Sequence, residues 1–302
     1  MIDLIGDIHG HADKLEELLL KLGYNKSKGI YSHSERKILF VGDYIDRGPK
    51  IIETLEIVRK MVESENAIAL MGNHEYNALC FHFQESEGGH LRKHNIVNIL
   101  QHYETLKQFH NRQKEYEDYL AWFKTLPLFY ETDSFRAVHA CWDKNHIEYL
   151  KANLENERLT DELIYKSVQK GTLLNDAIEE TLKGKELELP KGFTFSDKDG
   201  TNRNKIRIKW WENQSQMTYN SISVEPISGL PDQSIDLFNS KNEYYGSEEK
   251  NVFFGHYWLN GNPTPHKKNV CCLDYSVAKG GKLVAYRFGG EEKLESSKIV
   301  FV

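Results

Sequence analysis

Nine side chains able to bind metal or move protons fall where apolar runs end. They are Asp7, His9, Asp43, Asp46, Arg47, Asn73, His74, His139 and His256. Carboxylate, amide and imidazole together suit borderline or harder transition ions such as manganese, iron or zinc. They match neither a thiolate zinc site nor an all-oxygen calcium loop. Six of them can hold two ions: Asp7 and His9 on one, Asn73, His139 and His256 on the other, Asp43 between. Two ions about 3.5–4 Å apart share a hydroxide nucleophile and clamp a phosphate for in-line displacement. The leaving oxygen then needs a proton and the phosphate a cation. His74 and Arg47 are available for those tasks, and Asp46 can orient the His74 ring.

Such a set has to be presented by regular elements. "MIDLIGD" reads as a buried strand running into "HADKLEELLLKLGY", where Leu15, Leu18, Leu19 and Leu22 recur at helical spacing and Gly23 is a C-terminal stop. "KILFVGD" ends in the same Gly-Asp, and Ile51, Leu55, Val58 and Val62 then share a helix face. "AIALMGNHE" ends in Gly-Asn-His. Strand, turn and helix in repetition argue for an α/β sheet, whose ligands gather beyond the carboxyl ends of its strands. "FRAVHACW" and "NVFFGHYW" read as two later strands, each leading into a histidine. "VCCLDYSVAKGGKLVAYRF" reads as a closing hairpin around Gly280–Gly281, with Cys271 and Cys272 on opposite strand faces. Residues 84–124 read as polar and helical, and His82, His90, His94, His102 and His110 as exposed helix residues. His11 falls past the first turn, facing away from the strand ends. Glu75 is expected to support its loop.

The 302 residues are 39% hydrophobic and 28% charged, enough for one large α/β domain or two smaller ones. A net charge of −6 gives no bulk attraction to nucleic acid or anionic membrane, so any phosphate affinity is local. No apolar run approaches the ~20 residues of a spanning helix. The first residues lack a basic signal segment, and the four cysteines lack Cys-x-x-Cys spacing. A cytoplasmic protein with reduced, buried thiols is therefore expected.

"GDIHG", "GDYIDRG" and "GNHE", in that order and each after a strand, resemble the signature of the calcineurin-like metallophosphoesterases. "WFKTLPLFYETDSFRAVHACW" is similar to the segment carrying the fourth metal motif in the protein serine/threonine phosphatase branch, and "VFFGHYW" to its last Gly-His motif. The closing hairpin resembles that of bacterial phosphatases and symmetrical diadenosine-tetraphosphatases of the branch. The resemblance implies a four-layer αββα sandwich and a dinuclear centre, most often of manganese, held by the six ligands above. It implies that Asp43 bridges the ions and that His74, paired to Asp46, is the general acid. The fourth motif departs from the usual His-Gly-Gly, reading His139-Ala140-Cys141-Trp142, so the loop beyond that ligand must differ.

The chain is accordingly expected to be a single domain over 1–302. Its core is 1–142 and 251–302, and 143–250 is a long polar insertion or cap between the last two ligand motifs. Within the insertion, "NKIRIKWWE" alternates Lys205, Arg207 and Lys209 with Ile206, Ile208 and Trp210. Arg207 is the candidate second phosphate ligand, against a plain solvated strand face. Trp210 and Trp211 can stack a base or fill a core. The expected function is a metal-dependent phosphoesterase acting on small phosphorylated molecules, nucleotides or phosphoproteins. Two alternatives are a pyrophosphohydrolase of dinucleoside polyphosphates or RNA 5′ ends, and a non-catalytic phosphate- or metal-binding module. Nucleic acid enters only as a substrate, and no membrane partner is expected.

Overall fold

The structure, a computed structural model, describes all residues except 87, 197–201, 231–232 and 236–243. β1 (Ile2–Ile5) runs parallel to β2 (Lys37–Phe40), and β2 to β3 (Ala67–Ala69). Helix α1 (Ala12–Leu22) makes the first crossover and α2 (Ile51–Glu63) the second. Both form on the predicted apolar faces: Leu15, Leu18, Leu19 and Leu22 are buried, as are Ile51, Leu55 and Val58. Gly23 ends α1 at φ 93°, a left-handed conformation that a side chain would disfavour.

A second sheet is formed by β4 (Phe129–Glu131), β5 (Phe135–Val138), β6 (Asn251–Phe254) and β7 (Val270–Cys272), in the order β7-β6-β5-β4. The chain then returns to the first sheet through β8 (Asp274–Tyr275), β9 (Lys282–Phe288) and β10 (Ile299–Phe301). β8 and β9 are the antiparallel pair read from Gly280–Gly281, and β9 pairs antiparallel with β1.

The sheets meet face to face. Leu4, Leu39 and Val284 of one share a cluster with Phe135, Phe253 and Cys271 of the other. The alternate residues Ile5, Ile38, Phe40, Val252, Phe254 and Cys272 point the other way, into the cluster that holds the helices' buried side chains. Cys271 and Cys272 thus lie on opposite faces, and all four cysteines are free and buried. The helices after β5 are α6 (Lys144–Asn153), α7 (Asp161–Ser167) and α8 (Leu173–Lys183). They give Ile147, Leu150, Ile164, Ala177, Ile178 and Leu182 to the same cluster. The result is the helix–sheet–sheet–helix layering that the resemblance implied.

Beyond α8, Glu186–Glu188 pairs with Lys205–Arg207, and Leu187, Ile206, Ile208 and Ile222 form a small separate cluster. The alternation in "KIRIKW" is real: Ile206 and Ile208 are buried, whereas Lys205 is exposed and Arg207 half-buried. Trp210 and Trp211 are not base platforms. They are 2% and 3% exposed and belong to the main core, and the Trp210 indole N–H donates to the Ala140 carbonyl at 3.1 Å. That bond, with the Ala140 and Cys141 N–H groups donating to the Thr181 carbonyl, holds the altered His-Ala-Cys-Trp loop. Parts of the turn-rich "FSDKDG" and "GLPDQS" lie outside the described residues.

Residues 84–124 form α4 (Ile96–Gln108) and α5 (Gln113–Phe123), and α4 is inside out. Ile96, Val97, Leu100 and Tyr103 are exposed on it, whereas His102 and Thr105 are buried. Among the described residues no helix is long and apolar enough to cross a membrane.

Candidate active site

The strand-end turns place the predicted side chains by forcing the backbone. His9, Asp43, Asp46, Arg47 and His256 all have positive φ, between 46° and 74°, which folds each turn back towards a common point. α3 (Asn73–His82) begins at the end of β3, so Asn73 and His74 sit at its N-terminus. Glu75 ties the turns together. Its buried carboxylate accepts from the N–H groups of Gly72 (3.0 Å), Asp43 (2.9 Å) and Tyr44 (2.8 Å), the supporting role read from the sequence.

His139 donates Nδ1–H to the Val41 carbonyl (2.9 Å), which turns Nε2 inward. That nitrogen lies 3.0 Å from Asn73 Oδ1 and 3.4 Å from Asp43 Oδ1. His256 Nδ1 lies 2.7 Å from the same Asn73 oxygen. His9 donates Nδ1–H to the Ile45 carbonyl (3.0 Å), leaving Nε2 3.6 Å from Asp43 Oδ2. The Nε2 atoms of His9 and His256 are buried with no hydrogen-bond partner among the described residues. Burial, with the His74 charge adding to it, pushes His9 down to about 3, so the ring is neutral and its lone pair available. Burial also lowers His256, helped by the nearby Arg207 charge.

His139 differs: burial opposes its charged form, but Asp43 outweighs burial and raises it, so its Nε2 faces the Asn73 and Asp43 oxygens with a proton that a bound cation would replace. This donor set fits divalent metal. Asp43, His139 and His256 converge in one group with Asn73, and His9, Asp43 and His74 in another, with Asp43 common to both. Asp7 falls outside both groups. Its carboxylate accepts the His256 N–H at 3.1 and 3.2 Å, and burial, then Asp274 and Asp43, raise it well above the usual carboxylate range. A third group, Asp143, His146 and Glu180, is a hydrogen-bonded cluster capped by the Lys185 ammonium on Asp143. His11 turns its Nδ1 to the Ile8 and His9 carbonyls and takes no part.

The packing at Asp7 yields a test. A Cβ at Gly255 would lie 1.9 Å from Asp7 Oδ1. Gly255→Ala should displace that carboxylate and weaken manganese binding about 10–100-fold, as loss of a supporting contact does elsewhere. Calorimetric titration of the metal-free protein reads this directly; unchanged affinity would take Asp7 out of the metal site.

His74 faces the cluster with Nε2 3.8 Å from Asp43 Oδ2, while its Nδ1 lies 2.5 Å from Asp46 Oδ2. Burial opposes the charged ring, but Asp43 and Asp46 outweigh it and raise His74 above its ordinary value. Arg47 lies with its guanidinium 4.0 Å from the ring centre of Trp258. Trp258 and His102 adjoin the site and were missed by sequence reasoning. Trp258 stands two residues after the Gly-His motif, has φ 54°, and is held there by its N–H on Asp274 at 2.7 Å. His102 is not an exposed helix residue: it is 5% exposed, with Nδ1 2.7 Å from Asp46 Oδ1. Of the other four histidines, only His94 and His110 are exposed, and only His82 is helical.

The site opens into a cavity of about 680 Å³. Arg47, Arg92, Lys183, Lys205 and Arg207 line it, along with Asp176, Glu179 and Glu180 of α8.

The calcineurin-like phosphoesterase profile matches residues 1–256. The asymmetrical bis(5'-nucleosyl)-tetraphosphatase PrpE of Oceanobacillus iheyensis is 36% identical over 141 residues, 46% of this chain and 54% of that protein. Its counterpart in Halalkalibacterium halodurans is 47% identical over 73 residues, 24% of this chain and 30% of that one. The chain thus spans about half or less of the length of these curated relatives. A protein serine/threonine phosphatase from Saccharomyces cerevisiae shares the fold, with a TM-score of 0.51 at 13% identity over 100% of this chain and 78% of that one. Ordered strand-end motifs, two facing sheets and a profile spanning most of its length agree: the chain belongs to the calcineurin-like phosphoesterase family.

Proposed function

We propose that the chain is a metal-dependent phosphoesterase with dinucleoside polyphosphates and related nucleotide phosphates as its preferred substrates. One observation carries the reaction class. Asp43, His9, Asn73, His139 and His256 gather their ligand atoms in two groups that share Asp43, and an imidazole backed by a carboxylate faces them. When bound, two divalent ions supply an activated water and neutralise charge on the phosphate oxygens. Arg47 grips a non-bridging oxygen, and its contact with Trp258 limits the rotamers it explores. His74 delivers the Nε2 proton to the leaving oxygen while Asp46 holds Nδ1. A pure binding module has no use for that proton donor.

The substrate reading draws on the cavity, which is far larger than one phosphate and carries basic side chains from Arg47 out to Arg207. The names of the bacterial relatives point the same way. We further read the resident metal as manganese, one of the three ions (with iron and zinc) that a carboxylate, amide and imidazole set suits, and the location as cytoplasmic. The chain is read as one domain with 143–250 inserted between the last two ligands.

Turnover at fixed manganese of an aryl phosphate, a phosphopeptide, diadenosine tetraphosphate and triphosphorylated RNA tests both levels. Diadenosine tetraphosphate should give the highest kcat/KM. A preference for phosphopeptide would overturn the substrate reading, and no turnover of any would overturn the enzyme. In the same panel Arg207→Ala should raise KM for diadenosine tetraphosphate about tenfold, the value of one charge-assisted hydrogen bond. An unchanged KM would return Arg207 to the solvated face.

A further inference from the structure

We propose that His102, backed by Tyr116 and joined by Thr105, is a positioning residue that fixes Asp46 and through it the His74 ring for proton delivery. The proposal rests on the phosphoesterase reading above. Asp46 spends one carboxylate oxygen on His74 (2.5 Å to Nδ1) and the other on α4, with His102 Nδ1 at 2.7 Å and Thr105 Oγ1 at 2.6 Å. Thr105 Oγ1 also accepts the Asp46 backbone N–H at 3.0 Å, which secures the left-handed turn at φ 65°. His102 Nε2 lies 2.7 Å from the Tyr116 hydroxyl.

Proton counting gives these contacts a direction. An ionised Asp46 only accepts, so His74 Nδ1, His102 Nδ1 and Thr105 Oγ1 all donate. With Nδ1–H spent on Asp46, the other ring nitrogen of His102 pairs with the Tyr116 hydroxyl. Every polar atom of the chain is satisfied in one arrangement, behind a wall where His102, Thr105 and Tyr116 are all buried.

Held by His74 alone, the carboxylate could swing about its own side-chain torsions and carry the acid with it. Two donors on the opposite oxygen fix its plane, so Oδ2 stays in line with His74 Nδ1 and Nε2 stays turned to the reacting phosphate. His102 and Thr105 stand three apart on one face of α4, so a single helix supplies both clamps. The opposite face of that helix is apolar and exposed, so core burial does not explain why these two point inward.

A histidine that merely fills space would change all substrates alike when removed; one that aims the acid matters most where the leaving group needs its proton. The test is manganese-supported kinetics on aryl phosphates of graded leaving-group acidity. It uses wild type, His102→Leu, His102→Asn and Tyr116→Phe. In His102→Leu, kcat on phenyl phosphate should fall about 10–100-fold, part of what a general acid provides, with less than about a threefold loss on nitrophenyl phosphate. His102→Asn restores an N–H near the Nδ1 position and should recover phenyl phosphate turnover to within about fivefold of wild type. If the Leu variant does not fold, Tyr116→Phe decides. It loses only a hydroxyl, and should lose about threefold on phenyl phosphate and nothing on nitrophenyl phosphate. Equal losses across the series, or no loss in either variant, would overturn the proposal while leaving wild-type turnover and the phosphoesterase reading intact. A wild type inert on every phosphate ester would remove both.

Discussion

Asp43→Asn should give a folded protein whose turnover is at least about 10³-fold slower, the scale expected when an electrostatic anchor of the transition state is lost. Asp43 is where the two halves of the cluster meet, 3.6 Å from His9 Nε2 and 3.4 Å from His139 Nε2. Asparagine keeps the shape and the oxygen that accepts the His74 N–H at 3.0 Å. It removes only the charge, and its amide can donate to a neighbouring imidazole lone pair. A second reading separates this from simple damage. Burial works against the Asp43 charge, but His139 and His74 outweigh it and hold the carboxyl well below its usual range, so neutralising Asp43 in the metal-free state removes a net attraction. The metal-free variant should melt about 1–2 °C below metal-free wild type, as loss of about 1 kcal/mol would give in a chain of this size. A variant that no longer unfolds cooperatively would make Asp43 a structural residue first.

Metal removal should be nearly as severe. After chelation the wild-type enzyme should retain less than about 1% of its activity and regain it with manganese, because without cations nothing supplies the activated water. Binding should also show in the melting temperature. Saturation at about a hundredfold above the dissociation constant adds about 2.7 kcal/mol, or about 5 °C for a chain of this size. Equal activity with and without metal would end the dinuclear reading, and an unmoved melting temperature would place any metal outside the buried cluster.

The sequence told most where hydrophobic period and chemistry agree. Leucines at helical spacing located α1, and Gly-Asp or Gly-Asn at the ends of apolar runs located the turns that carry Asp7, Asp43 and Asn73. It told least where burial runs against type. In α4 the apolar side chains Ile96, Leu100 and Tyr103 face solvent while His102 and Thr105 face Asp46, so the usual rule points to the wrong face. Ordinary spacing also puts Asp7 and His9 on one ion, but it gave no sign that the Asp7 carboxylate would accept the His256 N–H, a contact made only by folding. Trp258 had no signal beyond its place after the motif, because its effect depends on Arg47, which is brought beside it only by folding.

The route of the chain between the sheets also governs when an enzyme can exist at all. β1 is flanked by β2 and by β9, and Asp7 accepts the N–H of His256, a residue 249 positions later. At ribosomal speeds of about 5–20 residues per second, roughly 10–50 s separate the emergence of these two partners. During that interval the first motif waits without its counterpart, and no shorter nascent chain can assemble the full ligand set. Cation capture is thereby tied to the late closing of long-range contacts, a slow class of folding step. Activity should therefore appear abruptly, after β6 has docked, rather than accumulate as the chain grows.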